Sequence, residues 1–89
     1  MGKNHKIKET FEVGRNFISI FPEESFLEQL VLEGDVLKFK MKSGASVYST
    51  TITDTMKREL LAVAREGGSI GTFYNTRVRP LPITKSDSF

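Results

Sequence analysis

Side chains that do covalent chemistry come as a nucleophile beside a base, as two carboxylates converging on one bond, or as a cluster of metal ligands. This sequence supplies few of them. It has no cysteine and one histidine, His5, which follows a polar, basic start and is expected near a frayed terminus. A thiolate zinc site, a thiol nucleophile and a Ser–His pair are therefore nearly excluded. The carboxylates are scattered. Glu23 and Glu24 adjoin in a turn led by Pro22, Glu33 and Asp35 flank Gly34, and Asp54 is better used to cap a helix. None is spaced to meet a second acid or the histidine. The expectation is a protein that is not an enzyme, with no catalytic residues, no metal site and no cofactor.

Charge and aromatic rings remain, and these are the equipment of a binding surface. Lys38, Lys40 and Lys42 alternate with Leu37, Phe39 and Met41, so in a strand the three ammonium groups share one face and the apolar set takes the other. A row of lysines can track phosphates; it is also what a solvated strand face guarded against aggregation looks like. Arg77 and Arg79, with Lys85, form a second basic cluster, although either arginine can simply pair with Glu59 or Glu66. Phe73 and Tyr74 are neighbours, and neighbours in a helical turn point about 100° apart. Phe73 is assigned to the core and Tyr74 to the rim, where it can stack on an exposed base. The candidate nucleic-acid contacts are thus Lys38, Lys40, Lys42, Arg77, Arg79 and Tyr74. A different surface is offered by Phe17, Ile18, Ile20 and Phe21, which are more apolar than one face of a small sheet needs and suit a protein partner or a homodimer. The glycine-rich run Gly67 to Gly71 can present amides to a phosphate, but it lacks the Lys-Ser/Thr of a nucleotide loop and follows a helix, so a helix cap is the stronger reading.

The elements that must carry these groups follow from length and periodicity. Eighty-nine residues make one small domain, because a chain of this length hides only about 60% of its unfolded surface in a single core. Hydrophobic residues at 38% and charged residues at 27% lie near globular averages, which excludes a wholly disordered chain. Thirteen Lys and Arg against eleven Asp and Glu leave +2, too little for general nucleic-acid affinity unless the charges cluster. Residues 1 to 24 read as an N-terminal extension. It includes a strand, since Ile7, Glu9, Phe11 and Val13 alternate with Lys8, Thr10 and Glu12 up to Gly14. Phe17 to Phe21 reads as a short buried strand or as an apolar connection.

From Ser25, two strands around Gly34-Asp35 and a third after Ser43-Gly44 make a meander as far as Ile52. A two-residue turn at Ser43-Gly44 sets Lys40 opposite Val47 and Lys38 opposite Ser49, a face that is basic but not aromatic. Met56, Leu60, Val63 and Ala64 recur at helical spacing behind a cap at Thr53 or Asp54, so a helix is expected from Thr55 to Glu66, ended by Gly67-Gly68. Residues 72 to 78 form a short second helix or turn, and residues 80 to 89 a mobile tail. The fold class is α+β: a small antiparallel sheet of three to four strands in meander order, one main helix packed on a face, and a short C-terminal helix or turn. Leu30, Leu37, Phe39, Leu60, Val63, Ala64 and Phe73 are the expected core.

Ser69, Gly71, Phe73, Tyr74, Asn75, Val78 and Arg79, at their spacing in this sequence, resemble the closing motif of the KTSC domain family, small domains named for an extension at the C-terminus of some lysyl-tRNA synthetases. The upstream order agrees: Ser25 and Leu27 open a strand, Leu37 and Phe39 precede the Ser43-Gly44 turn, Tyr48 lies on the next strand, and a helix rich in Leu and Ala follows. The likeness covers residues 25 to 79; Thr50 and Ile52-Thr53 stand where the family has a second tyrosine and a Val-Pro. The resemblance implies a compact α+β domain, free-standing in bacteria and phages, linked to RNA metabolism and without catalytic residues. Within the motif Asn75 is expected to bond the backbone of the glycine loop.

Two functional readings follow. One is a small non-enzymatic module associated with RNA or another nucleic acid through its basic sheet face. The other is a protein interaction module, such as a phage-type factor that binds a host enzyme, or a homodimer. A start without a secretory signal, apolar runs far below the ~20 residues that span a bilayer, and the lack of cysteine place the chain in the cytoplasm with no membrane partner.

Overall fold

The computed structural model describes residues 4–23, 25–86 and 89. Six strands, β1 (Lys6–Glu12), β2 (Arg15–Phe21), β3 (Leu27–Glu33), β4 (Val36–Met41), β5 (Val47–Thr51) and β6 (Thr84–Ser86), form one sheet in the order β1-β2-β3-β4-β5-β6, every neighbour antiparallel. Between β5 and β6 the chain makes helix α1 (Asp54–Glu66), a single helical turn α2 (Ile70–Phe73) and a wider π-type turn over Tyr74–Val78. The fold is α+β with an antiparallel meander and a helix, but the sheet has six strands rather than three to four.

The added strands have identifiable causes. Phe17 to Phe21 is apolar on both sides, so its period of two is invisible in composition; in the structure it is β2, paired along its whole length with β1. The hairpin closes through Val13-Gly14, both with positive φ (49° and 75°), the primed two-residue turn whose twist matches the strands. A β-branched residue is rarely found there, and Val13 is 98% exposed. The stretch from residue 80, expected as a mobile tail, instead supplies β6: Ser86 pairs with Val47 and Thr84 with Ser49. Buried Thr50 helps to bring it in by donating its hydroxyl to the Pro82 carbonyl at 2.8 Å. Apolar periodicity cannot show such a strand, because Thr-Lys-Ser is held by its backbone; residues 87 and 88 of that expected tail lie outside the described residues, as do residues 1 to 3 and Glu24 of the expected N-terminal extension.

One irregularity organises the core. The β3–β4 register shifts between Leu27 and Gln29, a bulge at Glu28. Strict alternation would send Leu27 and Leu30 to opposite faces; the extra residue lets both face inward, where both are fully buried. With them, Ile18 and Ile20 of β2, Leu32 of β3 and Leu37 and Phe39 of β4 pack against Met56, Leu60 and Ala64 of α1. Val63, expected in the core, is only partly buried at its margin.

The helix begins one residue earlier than expected, and Thr53 is its cap: the hydroxyl accepts from the Met56 N–H at 3.2 Å, while Asp54 occupies the first turn, where the positive helix end favours a carboxylate. Gly67 ends it in the left-handed conformation (φ 75°), and the Gly68 N–H reaches the Val63 carbonyl at 2.8 Å. His5, expected near a frayed end, is held at both ring nitrogens. Nδ1 accepts from the Glu23 N–H at 2.9 Å, so Nε2 carries the hydrogen and donates it to the Gly68 carbonyl at 2.7 Å.

Ser69 caps the next turn by accepting from the Thr72 N–H at 3.1 Å. A Cβ on Gly71 would stand 3.0 Å from a ring carbon of Phe26, so glycine is what lets this turn lie against that ring. Tyr74, expected at the rim, is buried. Its ring meets Phe26 edge-on at 5.6 Å and Phe39 edge-on at 5.1 Å. Both neighbouring aromatics find cover because the turn has the core on one side and Phe26 on the other.

Two outcomes follow from this packing. Leu60→Ala should cost about 2 to 5 kcal/mol in denaturant melts, because Leu60 is fully enclosed between helix and sheet; a loss below about half a kilocalorie would mean that the helix presents a different face. Desolvation pushes the Tyr74 phenol above its ordinary value of 10.0, against the opposing pull of the Arg79 charge. The folded value is the higher one, so the stabilisation from the protonated phenol is complete below about pH 10 and is lost as pH rises through the folded value. Tyr74→Phe should therefore flatten the alkaline limb of stability against pH, measured by denaturant melts across that range.

Candidate nucleic-acid interface

Helix α1 and the turns after it lie on one face of the sheet. Residues directly opposite in antiparallel strands point to the same side, so the register identifies what the other, open face carries. Lys8 lies opposite Ser19, Ser19 opposite Val31, Val31 opposite Lys38, Lys38 opposite Ser49, and Ser49 opposite Thr84. A second row joins Gln29, Lys40, Val47 and Ser86, with Lys6 opposite Phe21 at its far end. Lys40 opposite Val47 and Lys38 opposite Ser49 are the expected pairings, but the connection is not a two-residue Ser43-Gly44 turn: β4 ends at Met41, β5 begins at Val47, and the tight turn is Met41–Gly44, closed by the Gly44 N–H to the Met41 carbonyl at 3.3 Å.

The pairing of β2 with β3 changes the character of this face. Ile18 and Ile20 point into the core, and alternation turns Phe17, Ser19 and Phe21 to the side of Lys38 and Lys40. The face expected to be basic but not aromatic is both. The same register divides the apolar segment expected to receive a partner: Ile18 and Ile20 are buried, while Phe17 is half-buried and Phe21 is 36% exposed. Phe89 lies against the same face, beside Phe17, Ser19, Gln29 and Val31, forming a shallow groove.

Charge on the open face is unevenly divided along the strands. At the end with the β1–β2 and β3–β4 turns, Arg15 grips Glu33 with two bonds (2.5 and 2.7 Å), and its guanidinium carbon lies 5.1 Å from the centre of the Phe17 ring. The Arg15 hydrogen bond holds the Glu33 carboxyl below its ordinary range, and the Arg15 and Lys38 charges add to this; the same bond raises Arg15. Toward the other end the lysines gather. Lys6 and Lys8 are exposed on β1, Lys38 and Lys40 are half-exposed on β4, and Lys42 is exposed just past the end of that strand. Lys40 Nζ reaches the carboxylate of Glu28, the bulge residue, at 3.0 Å. Successive outward positions on a strand are about 7 Å apart, so Lys38 and Lys40 present a spaced pair of ammonium groups on the same face as the two phenylalanines, with β3 between them.

The second expected cluster does not join the first. Arg77 pairs with Glu59 of α1, on the helix side of the sheet, and Arg79 is exposed at the end of the π-type turn. Lys85 lies opposite Tyr48, one position out of phase with Thr84 and Ser86, and so faces the helix side as well. Tyr74, assigned to the rim, is packed between Phe26 and Phe39. In the closing motif Ser69 caps, Gly71 admits Phe26, and Phe73 is core, whereas Asn75 is exposed and makes no bond to the glycine turn among the described residues.

The sequence reading missed Lys6, Lys8, Phe17 and Phe21 as members of this surface. Lys6 and Lys8 are visible as the polar side of a strand, but their approach to the lysines of β4 depends on three successive registers. No helix is long and apolar enough to cross a membrane among the described residues. Comparison of the chain with protein-family models, with curated proteins and with solved structures found no match in any of the three.

Proposed function

We propose that this chain is a non-enzymatic module that binds single-stranded RNA on the open face of its sheet, working in the cytoplasm. The observation that carries this reading is the register that sets Phe17 and Phe21 on the same face as Lys38 and Lys40. Single-strand binders combine cations that follow the backbone with rings on which bases stack, and an open antiparallel sheet holds both at fixed spacing. Lys42, Lys6 and Lys8 extend the positive region at its edges. The likeness of residues 25 to 79 to the KTSC domains supports the same reading, through the link to RNA metabolism that it implies. Arg77, Arg79 and Tyr74 have no part in it, because they lie on the other side of the sheet or inside the core.

Fluorescence anisotropy of a labelled mixed-sequence single-stranded RNA, titrated at two salt concentrations, tests this directly. Replacing Lys38, Lys40 and Lys42 together by Gln should leave the fold intact and reduce the slope of log affinity against log salt by about 0.7 for each phosphate that is no longer neutralised. Phe21→Ala should weaken binding about tenfold with little change in that slope, since it removes stacking and leaves charge in place. Arg77→Gln should leave affinity unchanged. Absence of binding at low salt would overturn the proposal, because clustered charge acts most strongly there.

A further inference from the structure

We infer that the edge of β1, which pairs with no other strand among the described residues, pairs with the β1 edge of a second copy of this chain, antiparallel and centred on Glu9, joining two six-stranded sheets into one. Sheet edges in monomeric proteins are blunted by shortness, charged side chains, proline or a bulge, and of these β1 carries charge alone, at Lys6, Lys8, Glu9 and Glu12. β6, at one edge, is three residues long. β1, at the other, runs for seven residues with an unbroken ladder to β2 and contains no proline.

Which backbone groups are free follows from the hairpin. A two-residue turn makes Glu12 and Arg15 a hydrogen-bonded pair, so alternate residues Lys6, Lys8, Thr10 and Glu12 direct their N–H and C=O groups to β2. Ile7, Glu9 and Phe11 direct theirs outward. Centring a two-fold axis on Glu9 sets Ile7 opposite Phe11 of the second copy, twice, and Glu9 opposite itself, so every outward group on those residues is matched. The side chains agree with that register. Ile7 and Phe11, 36% and 72% exposed on the helix side, would cover each other. On the open face Lys6 would stand opposite Glu12 of the second copy at both ends of the ladder, with Lys8 opposite Thr10 between them. A centre on Lys8 would bring Lys8 against itself, and a centre on Thr10 would set Phe11 against Glu9. The one unfavourable contact of the chosen register is Glu9 against Glu9.

The two-fold axis keeps both open faces on the same side, so Lys6 and Lys8 of each copy would flank the seam of one continuous surface. Pairing through this edge does not require RNA, and molecular mass alone reports it. Sedimentation equilibrium of the full chain should show a concentration-dependent dimer. Glu9→Gln, which relieves the like-charge contact, should tighten the dimer about threefold or more. Lys6→Glu should weaken it at least about tenfold, and adding Glu12→Lys should restore it to near the starting affinity, since the two charges have exchanged places. The gain from Glu9→Gln cannot arise from misfolding, so the test survives a poorly folded Lys6→Glu chain. A monomer at all concentrations up to about 1 mM would overturn the inference, as would a dimer whose affinity is unmoved by Glu9→Gln and by the charge exchange.

Discussion

The alignment of β2 on β3 decides what both sides of this sheet contain. Ile18 stands opposite Leu32 and Ile20 opposite Leu30, so four aliphatic side chains enter the core together beneath the helix. A slip of one residue would bury Phe17, Ser19 and Phe21 and expose the two isoleucines, because strand side chains alternate with a period of two. The bulge at Glu28 is part of the same arrangement. It resets the phase of β3 so that Leu27 also faces inward, and it places the Glu28 carboxylate within reach of Lys40 on the other side. Core and candidate interface are therefore consequences of one register.

The helix side is closed by small devices at chain reversals. Thr53 and Ser69 each satisfy an orphan amide at the start of a helical turn, and Gly67 reverses the chain between them. His5 links the start of the chain to that reversal through the Gly68 carbonyl, which ties the N-terminal hairpin to the far end of the helix. Beside it, Phe26, Tyr74, Phe39 and Tyr48 form a continuous run of rings, the last pair stacked at 5.9 Å. The closing motif thus serves packing: its glycine admits a ring and its two aromatics fill the end of the core.

Charge is separated by the sheet itself. The arginines after α2 stay on the helix side, where Arg77 finds Glu59, while the lysines of β1 and β4 face the open side with Phe17 and Phe21. Of the carboxylates on the open face, Glu33 is engaged by Arg15 at one end and Glu28 by Lys40 at the other. Lysines outnumber carboxylates toward the end with Lys6, Lys8, Lys40 and Lys42, and the rings lie on the same side of the sheet.

Local chemistry was enough to read several elements from the sequence. The α1 stripe and its caps, the Gly34-Asp35 turn and the β4–β5 pairing all rest on contacts between residues close in the chain, where propensity and turn geometry act directly. The burial of Leu37 and Phe39 followed from their alternation with Lys38 and Lys40. Only the tertiary structure decided the rest. Phe17, Ile18, Ile20 and Phe21 are all apolar, so no pattern in the sequence says which pair goes inward; the packing of β2 on β3 and α1 does. β6 is Thr-Lys-Ser and carries no apolar signal, and it is held by backbone bonds to a strand more than thirty residues away. Tyr74 could not be placed from its helical phase, because its cover comes from Phe26, far back in the chain. Elements whose stabilising partners lie nearby in the chain are legible in its residues, whereas the faces come from packing between distant segments, because a face is defined by what packs across it.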